Sequence, residues 1–268
     1  MKHLPIGFFD SGIGGLTVMR EAASLLPHEN LIYLGDTARL PYGTKSPDTI
    51  RRFSLENARF LRDQNIKLLV IACHTACSHA LEIVKNDLSV PVVGVLEAAC
   101  SALIAAANLK KVGILGTQGT IASGVIEKTL RIIRPDIEIF PVACPLFVSL
   151  VEERFHNHPA ADLVAERYLA PLREQKIDAA LLACTHYPLL RSCIQKALPD
   201  VELFEPASGC ARQIQSTLEK TGAFNTSQTL PSYQFFATDD PIKFQANANL
   251  FFPTPIKQVF QVAVNRLL

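Results

Sequence analysis

Neither sign of charge prevails in this sequence: 26 lysines and arginines stand against 25 acidic residues, for a net charge of +1. That balance leaves no electrostatic footprint for nucleic acid or an anionic membrane surface. Long apolar runs are also missing. The longest, Val90 to Ala107, is interrupted by Glu97 and falls short of a membrane span. The first apolar stretch is very short and runs into Asp10, so it does not read as a signal peptide. No segment is of low complexity, and 17 prolines with 13 glycines in 268 residues exclude a collagen-like chain. Charged residues are scarce at 19% against 49% hydrophobic, which excludes disorder and provides for a sizeable core. Cysteine is present in an odd number, seven, in a long chain with an ample core. That argues against a disulfide scaffold and for reduced thiols in a cytoplasmic protein.

What is present is an alternation. Short apolar runs at Leu4 to Phe9, Leu31 to Leu34, Leu68 to Ala72 and Pro91 to Val95 read as buried strands. Four more follow at Lys111 to Leu115, Ile137 to Val142, Ala179 to Ala183 and Val201 to Phe204. Helical spacing separates them, as in Leu16 to Leu26 and in Asp48 to Asn65, where Ser46 and Pro47 are start signals. Such alternation predicts an α/β fold with parallel sheets covered by helices. From about Phe224 the chain loosens through Asn225, Thr226, Ser227, Gln228 and Pro231. Tyr233 to Ala237 reads as a last strand and Ile256 to Leu268 as a last helix, returning to the first part of the fold.

The plan occurs twice. A strand enters a glycine-rich turn at Asp10 to Gly15, and sixty-odd residues later a buried strand delivers Cys73-His74-Thr75. A strand then enters Gly116-Thr117-Gln118-Gly119-Thr120, and a similar interval later another delivers Cys184-Thr185-His186. Two similar lobes would place both cysteines at carboxyl strand ends, where α/β sheets bind ligands.

Asp10-Ser11-Gly12-Ile13-Gly14-Gly15 could pass for a dinucleotide turn, with Asp36 as its ribose acid, but Thr17 stands where the third glycine belongs. Asp10 would also set a carboxylate beside the pyrophosphate. A lone cysteine is most often a small core residue, and Cys77, Cys100, Cys144, Cys193 and Cys210 read that way. Cys73 and Cys184, at matching places, suit the inversion of a stereocentre, which needs a base on one face and an acid on the other. Asp10 and His186 are the neighbouring proton acceptors or orienters. Cys73, His74, Cys77 and His79 also have the types of zinc ligands, and Cys184 with His186 those of a cysteine hydrolase. A non-catalytic binding protein for a small acid is a further alternative. Thr117 and Thr120, with backbone N–H groups beside a helix start, suit a carboxylate.

The chain resembles the glutamate racemases. The matching blocks are Asp10 to Leu16, Gly35-Asp36-Thr37, Pro41-Tyr42-Gly43, Cys73 with Thr75 and Ala76, Gly116 to Thr120, Cys144 to Val148 with Glu152, and Cys184 to Leu190. The resemblance implies interconversion of L- and D-glutamate without pyridoxal phosphate or metal, in the service of peptidoglycan synthesis. It implies two pseudo-symmetric α/β lobes with the site between them, here 1–97 plus 210–268 and 98–209, and a homodimer. By motif position, Cys73 and Cys184 would be the acid/base thiols, with Asp10 assisting the first and His186 and Glu152 the second. Ser11, Pro41, Tyr42, Gly43, His74, Thr75, Thr117, Thr120 and Thr185 would hold substrate, with Asp10 and His186. Two departures stand out: His74 where the family usually has Asn, and Ala183 where it usually has Gly. A racemase of aspartate or another small amino acid, with His74 narrowing the pocket, is the reading beside it.

Overall fold

The computed structural model describes residues 2–106, 109–227, 229–253 and 255–267; Ala107, Gln228 and Leu268, each part of a stretch read above, lie outside them. The first half runs β1 (Ile6–Asp10), α1 (Leu16–Leu25), β2 (Leu31–Gly35), α2 (Pro47–Asp63), β3 (Leu68–Ile71), α3 (His74–Asp87), β4 (Val92–Gly94) and α4 (Val95–Ala105). The second follows as β5 (Lys111–Gly116), α5 (Gln118–Ser123), α6 (Val125–Ile133), β6 (Glu138–Ala143), α7 (Leu146–Glu152), α8 (Pro159–Glu174), β7 (Ala179–Ala183), α9 (Arg191–Ala197) and β8 (Glu202–Phe204). The chain ends with α10 (Ala207–Thr221), β9 (Tyr233–Ala237), α11 (Pro241–Ala248) and β10 (Phe260–Gln261).

The strands form two sheets, in the orders β10-β9-β2-β1-β3-β4 and β6-β5-β7-β8, and every described pairing is parallel. Parallel strands need crossovers, and helices supply them, so both faces of each sheet are covered. That is why β1, β2, β3 and β7 are buried at every position and carry continuous apolar runs rather than alternation. The result is two parallel-sheet α/β lobes. α4 carries the chain out of the first and α10 packs back against α1 and α4.

Local signals hold where they were strong. Ser46 caps α2, its hydroxyl accepting the Thr49 N–H, and Pro47 fills the first turn, where its missing donor costs nothing. The helix expected over Ile256 to Leu268 does not form in the described part. Phe260 and Gln261 instead pair with Phe236 and Ala237, and Val264–Arg266 make one 3-10 turn. The buried side chains there are Ile256, Val262 and Leu267. Spacings of six and five cannot line one helical face.

Candidate active site

Both site thiols stand where a buried strand runs out. β3 ends at Ile71, and Cys73 caps α3: its Sγ accepts the Ala76 N–H at 3.5 Å and its S–H donates to Ser11 Oγ at 3.7 Å. Burial, with the Asp10 charge adding, pushes this thiol well up, against the pull of the Ala76 N–H and Ser11. β7 ends at Ala183 and delivers Cys184. The chain then turns, and the turn brings His186 Nδ1 to 4.0 Å from the Cys184 sulfur. On a continuing strand these two would share a side; here the strand stops and the turn does the work.

Behind His186 stands Glu152, the last residue of α7, with Oε1 2.7 Å from the imidazole Nε2. Burial disfavours the imidazolium, but hydrogen bonds to Cys184 and Glu152 outweigh it and raise His186 to about 10. A proton held there places a cation beside Cys184, the setting in which a cysteine acts as base or nucleophile.

The glycine-rich turn after β1 lets backbone approach closely. A Cβ at Gly14 would lie 2.6 Å from His186 Nδ1, and one at Gly15 2.6 Å from the Asp10 Cβ. Asp10 is fully buried and accepts the Gly12 N–H at 3.0 Å. Burial raises its pKa, while the His186 charge and the Gly12 N–H pull the other way. Thr185, from the second lobe, donates to its other oxygen at 3.4 Å. Asp10 makes no hydrogen bond to Cys73, which it reaches through its field alone.

A triangle of hydroxyls also joins the lobes. Thr75 Oγ1 lies 2.8 Å from Thr117 Oγ1 and 3.2 Å from Thr120 Oγ1, with 3.1 Å closing the third side. Thr117 caps α5 through the Thr120 N–H. Gly43 packs against Thr117, a Cβ there meeting the Thr117 Cβ at 2.6 Å.

The turn carrying Tyr42 and Gly43 is held from behind by a hub on Asp36, whose other members Arg39, Glu56, Asn57 and Thr238 sequence reasoning missed. Asp36, fully buried, accepts from the Tyr42 hydroxyl, from Arg39 Nε at 2.8 Å and from Thr238 Oγ1 at 3.0 Å. Arg39 also pairs with Glu56 and donates to Asn57 Oδ1 at 3.0 Å, and its guanidinium lies 4.1 Å over the Phe53 ring. The Gly-Asp-Thr block was the only signal for this hub.

A narrow cavity of about 20 Å³ lies between the lobes. Ser11, Pro41, Tyr42, Gly43, Cys73, His74, Thr75, Thr117, Cys184, Thr185 and His186 line it, joined by Val148, which sequence reasoning did not select. Asp10, Thr120 and Glu152 stand outside its wall, each bonded to a residue that lines it, and Glu152 also lines a neighbouring cavity that shares Pro41 and Val148 with this one. His74 is the anomaly. It is 3% exposed, and among the described residues neither ring nitrogen has a hydrogen-bond partner. Burial drives its pKa down to about 3, so the ring is neutral. Among the described residues no three His, Cys, Asp or Glu side chains gather as a metal site.

The family model described as Asp/Glu/Hydantoin racemase matches residues 16–214. The chain belongs to this racemase family. Among its members, the glutamate racemase of Geobacter metallireducens is 43% identical over 265 residues, 98% of each chain. Among solved structures, the Francisella tularensis glutamate racemase, crystallised with D-glutamate, superposes with a TM-score of 0.94 at 39% identity, covering 99% of both chains. The Thermus thermophilus glutamate racemase, solved with beta-chloro-D-alanine, gives 0.88 at 40% identity, again over 99% of both.

Proposed function

We propose that this chain is an amino-acid racemase that interconverts L-glutamate and D-glutamate by proton transfer at Cα. The observation that carries the reading is a pair of thiols, Cys73 and Cys184, reaching one small cavity from equivalent strand ends of two lobes. One sulfur removes the Cα proton from its face as a thiolate, and the other delivers its S–H proton to the opposite face. The two exchange roles when the other enantiomer binds. Asp10 acts on the Cys73 side, and His186, backed by Glu152, on the Cys184 side.

Ser11, the Pro41-Tyr42-Gly43 turn, Thr75, Thr117 and Thr185 supply hydroxyl and N–H groups for the substrate's carboxylates and ammonium, with Thr120 bracing the two threonines it touches. His74, neutral and unpaired, adds one donor and one acceptor at the same wall. The reading asks for no cofactor. The same proposal includes lobe borders at 97/98 and 209/210, a homodimer, a cytoplasmic setting, and D-glutamate destined for peptidoglycan.

The test is proton NMR of L-glutamate with purified protein in D2O, repeated with aspartate. Loss of the Cα signal with D-glutamate formed is the expected result, and Cys73→Ser or Cys184→Ser should nearly abolish it. Full activity in both variants would overturn the two-thiol mechanism. Exchange with aspartate far above glutamate would move the substrate, with the bulk of His74 as the reason. Binding without exchange would make the chain a small-acid binding protein.

A further inference from the structure

The acid/base relay of Cys184 ends on Glu152, and two residues later the chain does something arginine does at a cost. Arg154 adopts φ 61°, a left-handed conformation that glycine enters freely. It closes α7, its N–H donating to the Val151 carbonyl at 3.0 Å. Glycine would close that turn at least as well. What glycine lacks is the side chain, and this one crosses to the other lobe. Nε and Nη2 both donate to Asn247 Oδ1, at 3.1 and 2.8 Å, and Nη2 donates also to the Ala246 carbonyl at 3.0 Å. Asn247 is itself buried, on α11.

The segment following α11 touches the relay a second time. Phe251 is buried and sets its ring edge-on to His186, with centroids 5.7 Å apart at 76°. The C-terminal segment, joined through β9 to the first sheet, thus meets the relay beside Glu152 and against His186. Both members must stay aligned for a proton to sit behind Cys184.

We infer that Arg154 is a positioning residue: its fork on Asn247 and Ala246 clasps α11 to the second lobe and keeps Glu152 and His186 in line behind Cys184. The inference rests on the racemase reading. Loss of the clasp leaves the two thiols and the substrate-holding hydroxyls in place but lets the relay of His186 and Glu152 drift, so it acts on turnover more than on substrate capture.

The experiment uses the full chain as Arg154→Gly, Arg154→Lys and Asn247→Ala. Arg154→Gly removes the fork and relieves the backbone, so its melting temperature should stay near wild type. Glutamate kcat/KM should fall about two- to tenfold in Arg154→Gly and Asn247→Ala, the range of one lost hydrogen bond, with the loss mostly in kcat. Arg154→Lys, which keeps a donor, should recover most of it. Iodoacetamide labelling, read by peptide mass spectrometry, should be slower at Cys184 relative to Cys73 in the two damaged variants, because Cys184 loses the aligned imidazolium that favours its thiolate. Wild-type kcat/KM in both, or a loss wholly in KM, overturns the clasp. If the wild type itself leaves the glutamate Cα proton in place, the racemase reading fails separately, and the labelling ratio alone decides: an unchanged ratio overturns the clasp.

Discussion

Replacing His74 with leucine should stabilise the free protein, and more at acid pH than at neutral pH. The neutral imidazole brings one donor and one acceptor into a buried place where neither finds a partner. A buried polar group left unpaired costs about 1–3 kcal/mol, and leucine removes both while keeping apolar bulk. The titration adds a second, separable effect. The unfolded chain protonates this histidine near 6.5, whereas burial holds the folded value near 3. The unfolded state therefore binds more protons, and the folded state loses stability as pH falls from 6.5 towards 3. Linkage puts that loss at about 2 kcal/mol between pH 7.5 and pH 5.

His186 shifts the opposite way, but it is present in both proteins and cancels in the comparison. The assay is urea unfolding of wild type and His74→Leu at pH 7.5 and 5.0. The gap in favour of leucine should widen by about 2 kcal/mol at the lower pH. Any steric misfit of leucine contributes equally at both and drops out. A gap that stays constant would show that the ring keeps its proton or finds a partner, and would remove the reason for treating it as a group reserved for substrate. The same variant should raise the KM for glutamate, so stability and binding move in opposite directions.

Further outcomes follow from the geometry. Gly14→Ala should fold yet lose activity, because the added methyl meets Thr185 and His186 across the lobe boundary; unchanged kcat/KM in a folded variant would contradict that approach. Glu152→Gln should lower kcat/KM by about 10²-fold and move the alkaline limb of its pH profile to lower pH, since the carboxylate helps hold the His186 proton to about 10; a limb that stays put would detach Glu152 from the relay. Asp36→Leu should destabilise the fold by about 1–3 kcal/mol in chemical denaturation, because the Tyr42 and Thr238 hydroxyls lose their buried acceptor while Arg39 keeps Glu56. For every variant, kcat/KM must fall by the same factor in both directions, because enantiomers have equal free energy and the equilibrium constant is one.

Much of the architecture was legible because parallel strands covered on both faces cannot hide: β1, β2, β3, β5 and β7 are short apolar runs that end at or just before Asp, Gly or Cys. The two cysteines stood out by their matching positions, and the cavity they share is where two such strand ends would place it. The rest depended on contacts between distant parts of the chain. Thr238 reaches Asp36 across 202 residues, and nothing local to either announces the pair. The Ile256 to Leu268 stretch is rich in apolar residues, but its pairing with β9 and its burial at uneven spacing are set by the neighbouring sheet, which no window of sequence contains. Arg154 carries a left-handed turn without the glycine that would have marked it.

The first sheet takes β9 as the neighbour of β2, with Leu31 opposite Tyr233. During synthesis that edge of β2 has no partner until the ribosome has made about 200 more residues. At roughly 5–20 residues per second the wait lasts about 10–40 s. The second sheet draws all its strands from one continuous stretch and can close meanwhile. For that interval the nascent chain carries a finished lobe beside an open sheet edge of Leu-Ile-Tyr-Leu, the kind of surface on which chains pair with one another. Truncation before Tyr233 would make the wait permanent, so such fragments should be found in aggregates while the isolated second lobe stays in solution.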